Sequence, residues 1–251
     1  MSMIEVEIDD KKIHEYASGI TAGDILQNVY GKKSGAIAAK INDEQKDMSF
    51  VVNENCKIEP ILGDSEEGLY ILRHSCAHLL AQAVVEIFPG AKPTIGPPIE
   101  HGFYYDFHMN PIGDSDLKII EKRMNQLVRE NIKIKREEFE NNELREMFQN
   151  NKFKIEILDE KIGDEVGSTA YRQGDFIDLC RGPHVPSTSH LRWFKLTSTS
   201  QAYWRADSNR EPLTRIYGMC YATKEGLKER QRQIEEASKR DHKKIGKEME
   251  L

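Results

Sequence analysis

"LRHSCAHLLAQAV", Leu72–Val84, decides how the middle of this 251-residue chain is read. Leu72, Cys76, Leu79, Leu80, Ala83 and Ile87 recur at helical spacing, which predicts a helix over 69–88 ended by Pro89 and Gly90. That helix carries His74 and His78 one turn apart, so both imidazoles leave the same face. A second pair with this offset, Cys180 and His184, lies in "DLCRGPHVP", where Gly182 and Pro183 favour a loop or strand end. Three imidazoles and a thiol are a donor set that Zn²⁺ accepts in tetrahedral geometry. Imidazole also titrates near neutral pH and suits proton transfer. Ser75 rather than Glu follows His74, so the His-Glu-x-x-His metalloprotease pattern is excluded. The bland alternative is two core or surface histidines beside an unrelated loop cysteine.

Upstream, "MIEVEID" alternates apolar and acidic residues, and "KKIHEYASG" gives a second strand after an Asp9-Asp10 turn. "TAGDILQNVYG" reads as a helix with Thr21 as N-cap and Gly31 just past its end. "AIAAKINDEQKDMSFVV" follows as strand, Asn42-Asp43 turn and strand, and "KIEPIL" closes the unit. This is the element order of a β-grasp, ubiquitin-like module over 1–63, with "GDSEEG" (63–68) as the linker.

Downstream, "IGPPIEHGFYYDFH" reads as strand, turn and strand. A helix over 115–131 carries Leu117, Ile120, Met124 and Leu127 on one stripe, and a shorter one covers 141–149. "KFKIEIL", 152–158, alternates like a strand. Residues 171–221 are strand and loop, and 224–251 form one charged helix whose Leu227, Ile234, Ile245 and Met249 are too sparse for burial. The fold class is therefore α+β, with the second unit over 64–223 and a connecting helix after it.

Composition narrows the function classes. With 38% hydrophobic residues the chain can build cores, and no apolar run approaches the ~18 residues of a membrane span. The acidic N-terminus lacks the pattern of a secretion signal, and four scattered cysteines suit a reducing compartment; a cytoplasmic setting is expected. Net charge is −6, yet its distribution is uneven: residues 1–62 carry −4, and 181–221 carry +4. In the latter stretch Arg181, Arg192, Lys195, Arg205, Arg210 and Arg215 are interleaved with Trp193, Phe194, Tyr203 and Trp204. Cations beside stacking rings suit RNA, and a solvated basic face over buried rings is the competing reading.

Five long stretches, "RHSCAHLLAQAV", "IGPPIEHGFYYDF", "DLCRGPHVPST", "FKLTSTSQAYWRADSNREPLTRIYG" and "KRDHKKIGKEM", resemble the N-terminal region of bacterial-type threonyl-tRNA synthetases from end to end. The resemblance implies a TGS domain over 1–63 and an antiparallel editing domain of the threonyl/alanyl type over 64–223. A linker helix then runs toward an aminoacylation core whose ATP site and catalytic zinc are not in this chain. It also implies hydrolysis of mischarged seryl-tRNA(Thr). A freestanding deacylase acting in trans, or a non-catalytic tRNA-binding module, are the alternatives.

For that reaction His74 and His78 would share the base and 2′-hydroxyl-binding roles. Lys154 occupies a position the family uses in catalysis and would polarise the carbonyl or steady the leaving ribose oxygen. Asp178, two residues before Cys180 and on the same strand face, would hold the serine amine or the water. Cys180 would be a polar wall rather than a nucleophile, His184 would close the site, and Tyr104, Tyr105 and Arg181 would contact substrate. The alanyl relatives hold zinc on the equivalent quartet, whereas the threonyl branch works without it, so a metal-free site is expected. The partners implied are the acceptor end of tRNA(Thr) and the rest of the synthetase, with this piece monomeric and the whole enzyme a homodimer.

Overall fold

A computed structural model describes residues 2–8, 12–31, 34–160 and 168–249, with side chains as far as residue 239. The Asp9-Asp10 turn and the side chains of Ile245 and Met249 lie outside the described residues.

The chain opens with β1 (Met3–Ile8), β2 (Lys12–Ala17), β3 (Ile20–Thr21), α1 (Ala22–Tyr30), β4 (Ala36–Ile41), β5 (Glu44–Lys46), β6 (Val51–Val52) and β7 (Cys56–Leu62). A mixed sheet runs β2-β1-β7-β4-β5, with β1 and β7 parallel at its centre; β3 and β6 pair separately. Alternation in β1 buries Ile4, Val6 and Ile8 and exposes Glu5 and Glu7, as period two requires. Those residues meet Ile25 and Leu26 of α1, which starts at Thr21, whose Oγ1 accepts from Asp24 N–H at 3.1 Å. Other residues of the same sheet, Ile37, Ala38 and Ile61, enter a second core together with Ile71 and Leu72.

The helix α2 (Glu66–Ile87) begins three residues earlier than its apolar spacing predicts. Ser65 caps it by accepting from Gly68 N–H at 3.0 Å, and Glu66 and Glu67 favour the positive helix start. Most of 63–68 is thus a capped helix start rather than a loose linker. Then follow β8 (Lys92–Pro93), β9 (Pro98–Ile99), β10 (Gly102–His108), α3 (Asp114–Glu130), β11 (Ile134–Phe139), α4 (Asn141–Met147), α5 (Lys152–Glu160), β12 (Ser168–Gln173), β13 (Phe176–Leu179), β14 (Trp193–Tyr203), β15 (Pro212–Tyr221) and α6 (Lys224–Met249).

One antiparallel sheet runs β14-β15-β10-β8, with β9 also on β10; a smaller one runs β11-β12-β13. Leu72, Cys76, Leu79, Leu80 and Ala83 of α2 pack with Leu117, Ile120, Met124 and Leu127 of α3 and with Phe103, Tyr105 and Phe107 of β10. The buried length of α2 is what places its two histidines at fixed positions.

The segment 152–158 is α5, a helix and not the expected strand. Phe153, Ile155 and Ile157 alternate because both sides of the helix are covered. Ile155 and Leu158 join Leu144, Phe148 and Ala170, whereas Phe153 and Ile157 join Trp204 and Leu213. Asn151 starts the turn, its Oδ1 accepting from Phe153 N–H at 3.2 Å and its carbonyl from Ile155 N–H at 3.1 Å.

Candidate active site

His74 and His78 leave α2 toward the turn that follows β13, where Cys180 and His184 flank a Gly182-Pro183 cis peptide. Cys180 Sγ lies 3.3 Å from His74 Nε2 and 3.2 Å from His184 Nε2. The His184 ring centre is 4.4 Å from that of His74 and 4.3 Å from that of His78. One ligating atom from each of the four residues lies within 4.8 Å of the others. Two pairs more than a hundred residues apart in sequence therefore form one cluster.

The turn is held from outside the cluster. Ser75 Oγ accepts from Val185 N–H at 3.1 Å and lies 2.9 Å from His184 Nδ1, which leaves Nε2 facing Cys180. Gly182 N–H donates to Cys180 Sγ at 3.2 Å. Gly182 has φ +73, and a Cβ there would fall 1.8 Å from the Tyr171 hydroxyl, so only glycine fits.

Beneath the cluster lies a buried ionic network. Lys154 Nζ sits 2.5 Å from Asp178 Oδ1, donates to Thr94 O at 2.7 Å and reaches the Tyr105 hydroxyl at 3.2 Å. The Tyr105 hydroxyl donates to Asp178 Oδ2 at 2.5 Å, and His78 Nε2 is 3.9 Å from that same oxygen. Lys154 thus hydrogen-bonds Thr94 O and the Tyr105 hydroxyl and meets Asp178 Oδ1 as an ion pair, an oxygen that is buried and accepts no hydrogen bond. Burial opposes ionisation of Asp178, but Lys154, then His78 and the Tyr105 hydroxyl, outweigh it and hold the carboxyl below its ordinary range.

Burial sets the protonation of the rest. It lowers His74 to about 3, helped by His78, and lowers His78 to about 4 despite the pull of Asp178. His184 falls well below its ordinary value for the same reason, with both neighbouring imidazoles adding to the shift. The Cys180 thiol is pushed up to about 12, again chiefly by burial. At neutral pH the cluster is three neutral imidazoles and a protonated thiol. Such a set can accept a proton from water, and it can hold a metal if the thiol loses its proton.

A domain family described as "Threonyl and Alanyl tRNA synthetase second additional domain" matches residues 169–217. Threonine–tRNA ligase of Rubrobacter xylanophilus is 44% identical over 251 residues, covering 99% of this chain and 39% of that enzyme. Those of Francisella tularensis subsp. novicida and subsp. tularensis are 44% and 46% identical, each over 99% of this chain and 40% of the enzyme. The chain fits an N-terminal fragment of a threonyl-tRNA synthetase. It spans about two fifths of the length of the curated synthetases it matches. The matched residues include Asp178, Cys180 and His184; His74, His78 and Lys154 come from outside them.

Not every residue singled out in the sequence joins the cluster. Tyr104 and Tyr105 are neighbours on β10 and so point to opposite faces. Tyr105 enters the ionic network, whereas Tyr104 packs on Tyr217 at 5.8 Å between ring centres and under the Arg215 guanidinium at 3.9 Å. Arg181 is exposed beside the turn. The basic, aromatic stretch of the synthetase fragment has Trp204 and Phe194 as core residues, whereas Trp193 is half-buried and Tyr203 is exposed. Its cations are largely paired, Arg215 with Asp106, Arg210 with Glu156, Lys195 with Glu121 and Arg205 with Glu160. Four residues escaped the sequence reading: Asp47, Ser75 and Tyr171 around the turn, and Thr94 beside Lys154. Ser75 alone had a signal, being a polar residue beside His74 on a buried helix.

Proposed function

We propose that the chain hydrolyses seryl-tRNA(Thr), releasing serine and tRNA(Thr), as the proofreading part of a threonyl-tRNA synthetase. The observation that carries this reading is the convergence of His74, His78, Cys180 and His184 over the Lys154–Asp178–Tyr105 network. The need for a second site is energetic: a threonine pocket loses only about 1–3 kcal/mol on serine, about 10- to 200-fold. A separate pocket too small for threonine's extra methyl group removes what the first one admits.

The reaction is acyl transfer to water. The water oxygen bonds to the ester carbonyl carbon while His74 or His78 takes its proton; the carbon–ribose oxygen bond then breaks, and the ribose oxygen receives the proton. Both imidazoles are unprotonated at neutral pH, as a base must be, but burial that lowers them to about 3 and about 4 makes each a weaker base than an ordinary imidazole. Cys180 acts as a polar wall, because a thiol this resistant to ionisation is a poor nucleophile. We assign Lys154 to holding Asp178, since its ammonium group is buried against that carboxyl, Thr94 O and the Tyr105 hydroxyl, and Asp178 to orienting His78 and the serine ammonium group. His184 closes the site, and exposed Arg181 stands where the tRNA end would enter.

The four cluster residues also fit a zinc ion, with Ser75 orienting His184 from behind as metal-bound histidines require. When bound, zinc would be held by His74, His78, Cys180 and His184 and would supply a Lewis acid. We favour a site working with its own side chains, and metal content after purification without added zinc decides that choice.

Within this reading the N-terminal unit is a TGS domain, supported by its β2-β1-β7-β4-β5 order, its central parallel pair and the helix α1 packed on the sheet. The tRNA(Thr) acceptor end and the remaining synthetase are the partners. The test is deacylation of seryl-tRNA(Thr) and threonyl-tRNA(Thr) by the chain and by His74→Ala. Expected is turnover of the seryl ester, sparing of the threonyl ester, and a loss of about 10²-fold or more in the variant with its fold intact. No turnover above background at saturating protein would overturn the reading.

A further inference from the structure

The turn that carries Cys180 and His184 has two anchors, and one of them comes from the N-terminal unit. Asp47 follows β5. Its Oδ1 accepts from His184 N–H at 2.8 Å, and its Oδ2 accepts from the Tyr171 hydroxyl at 2.6 Å. The Tyr171 ring in turn stands edge-on to the His184 imidazole with 4.4 Å between ring centres, and its hydroxyl lies against Gly182. One carboxyl group therefore grips both the backbone of His184 and the ring that backs it.

The grip is rigid from the other side too. Asp47 opens a loop whose backbone is pinned to the start of α1: Gly23 N–H donates to Met48 O at 2.8 Å and Ala22 N–H to Phe50 O at 2.8 Å. Phe50 N–H closes the loop on Asp47 O at 3.0 Å. A Cβ on Gly23 would meet Met48 O at 2.9 Å, so the loop and helix start are in van der Waals contact. Burial raises the Asp47 carboxyl from its ordinary value, opposed by the His184 N–H and Tyr171 O–H bonds and by the charge of Arg136. A carboxyl group so enclosed and so bonded is held in one place.

We propose that Asp47 is a positioning residue for the hydrolytic site: the N-terminal unit reaches across and fixes the Cys180–His184 turn opposite Ser75. The inference rests on the functional reading above. It also predicts a geometric effect that does not depend on turnover, because Cys180 is shielded only while the turn is held.

The experiment compares the full chain with Asp47→Ala, Asp47→Asn and Tyr171→Phe. Three measurements are made on each: seryl-tRNA(Thr) deacylation, the rate at which iodoacetamide modifies Cys180 by peptide mass analysis, and the melting temperature. Asp47→Ala removes both bonds, and kcat should fall on the order of 10- to 100-fold, the worth of a charge-assisted hydrogen bond, with KM little changed. Cys180 modification should speed up by about the same factor. Asp47→Asn keeps an acceptor for His184 N–H and should stay within about threefold of the unaltered chain on both readouts. Tyr171→Phe, which removes only the hydroxyl bond to Asp47 Oδ2, should show an intermediate effect, and adding it to Asp47→Ala should cost little more. Asp47→Ala with unaltered Cys180 labelling overturns the proposal, whatever its melting temperature. If the unaltered chain shows no deacylation, the functional reading falls while the labelling still decides the role of Asp47.

Discussion

At the scale of single residues the site is governed by what burial does to charge. Lys154 and Asp178 are both sequestered from water, and each is tolerable only beside the other. Lys154→Met in the full chain should therefore destabilise by about 3–5 kcal/mol in chemical denaturation, because Asp178 is left without its counter-charge. Lys154→Met combined with Asp178→Leu should lose far less than the two single losses added together; strict additivity would refute the pairing. Much of this was legible beforehand. His74 and His78 are readable from helical spacing, and Asp178 and Cys180 from strand alternation, because both periodicities are local. Ser75 and Asp47 act on His184 across 109 and 137 residues, and no period connects such distant partners.

Among elements, α5 shows where a local pattern misleads. Period-two spacing of Phe153, Ile155 and Ile157 suits a strand buried on one face, and equally a short helix lodged between two apolar clusters. What separates the two is Asn151, whose side chain supplies the helix start and also donates to Pro93 O at 2.8 Å. Asn151→Ala should cost about 1–2 kcal/mol, measured by denaturant unfolding, and should lower deacylation by displacing Lys154. A stability change below a few tenths of a kcal/mol would show that packing alone sets this helix. By contrast α2 and α3 were legible over nearly their full lengths, since each buries a stripe at the helical period.

For the molecule as a whole, the boundary near residue 63 is a change of topology and not a break in packing. Ile37, Ala38 and Ile61 of the first sheet share a core with Ile71 and Leu72, and Lys40 pairs with Glu67 at 2.6 Å. Such continuity was not readable, because composition and turn residues at 63–68 resemble those of a flexible joint. It predicts that the two units unfold together. Ile61→Ala should destabilise by about 2–5 kcal/mol, and circular dichroism and Trp fluorescence should still report one coincident thermal transition. Two separated transitions in the unaltered chain would refute the shared core.

The placement of Asp47 also bears on the order of assembly. Every strand of the first sheet lies within the opening 62 residues, so a ribosome delivers that sheet complete long before Tyr171 or His184 is polymerised. The carboxylate is then already waiting on a finished platform when the later turn arrives. A nascent chain arrested before residue 171 would display this platform without the Cys180–His184 turn, so the cluster with His74 and His78 is completed late in synthesis.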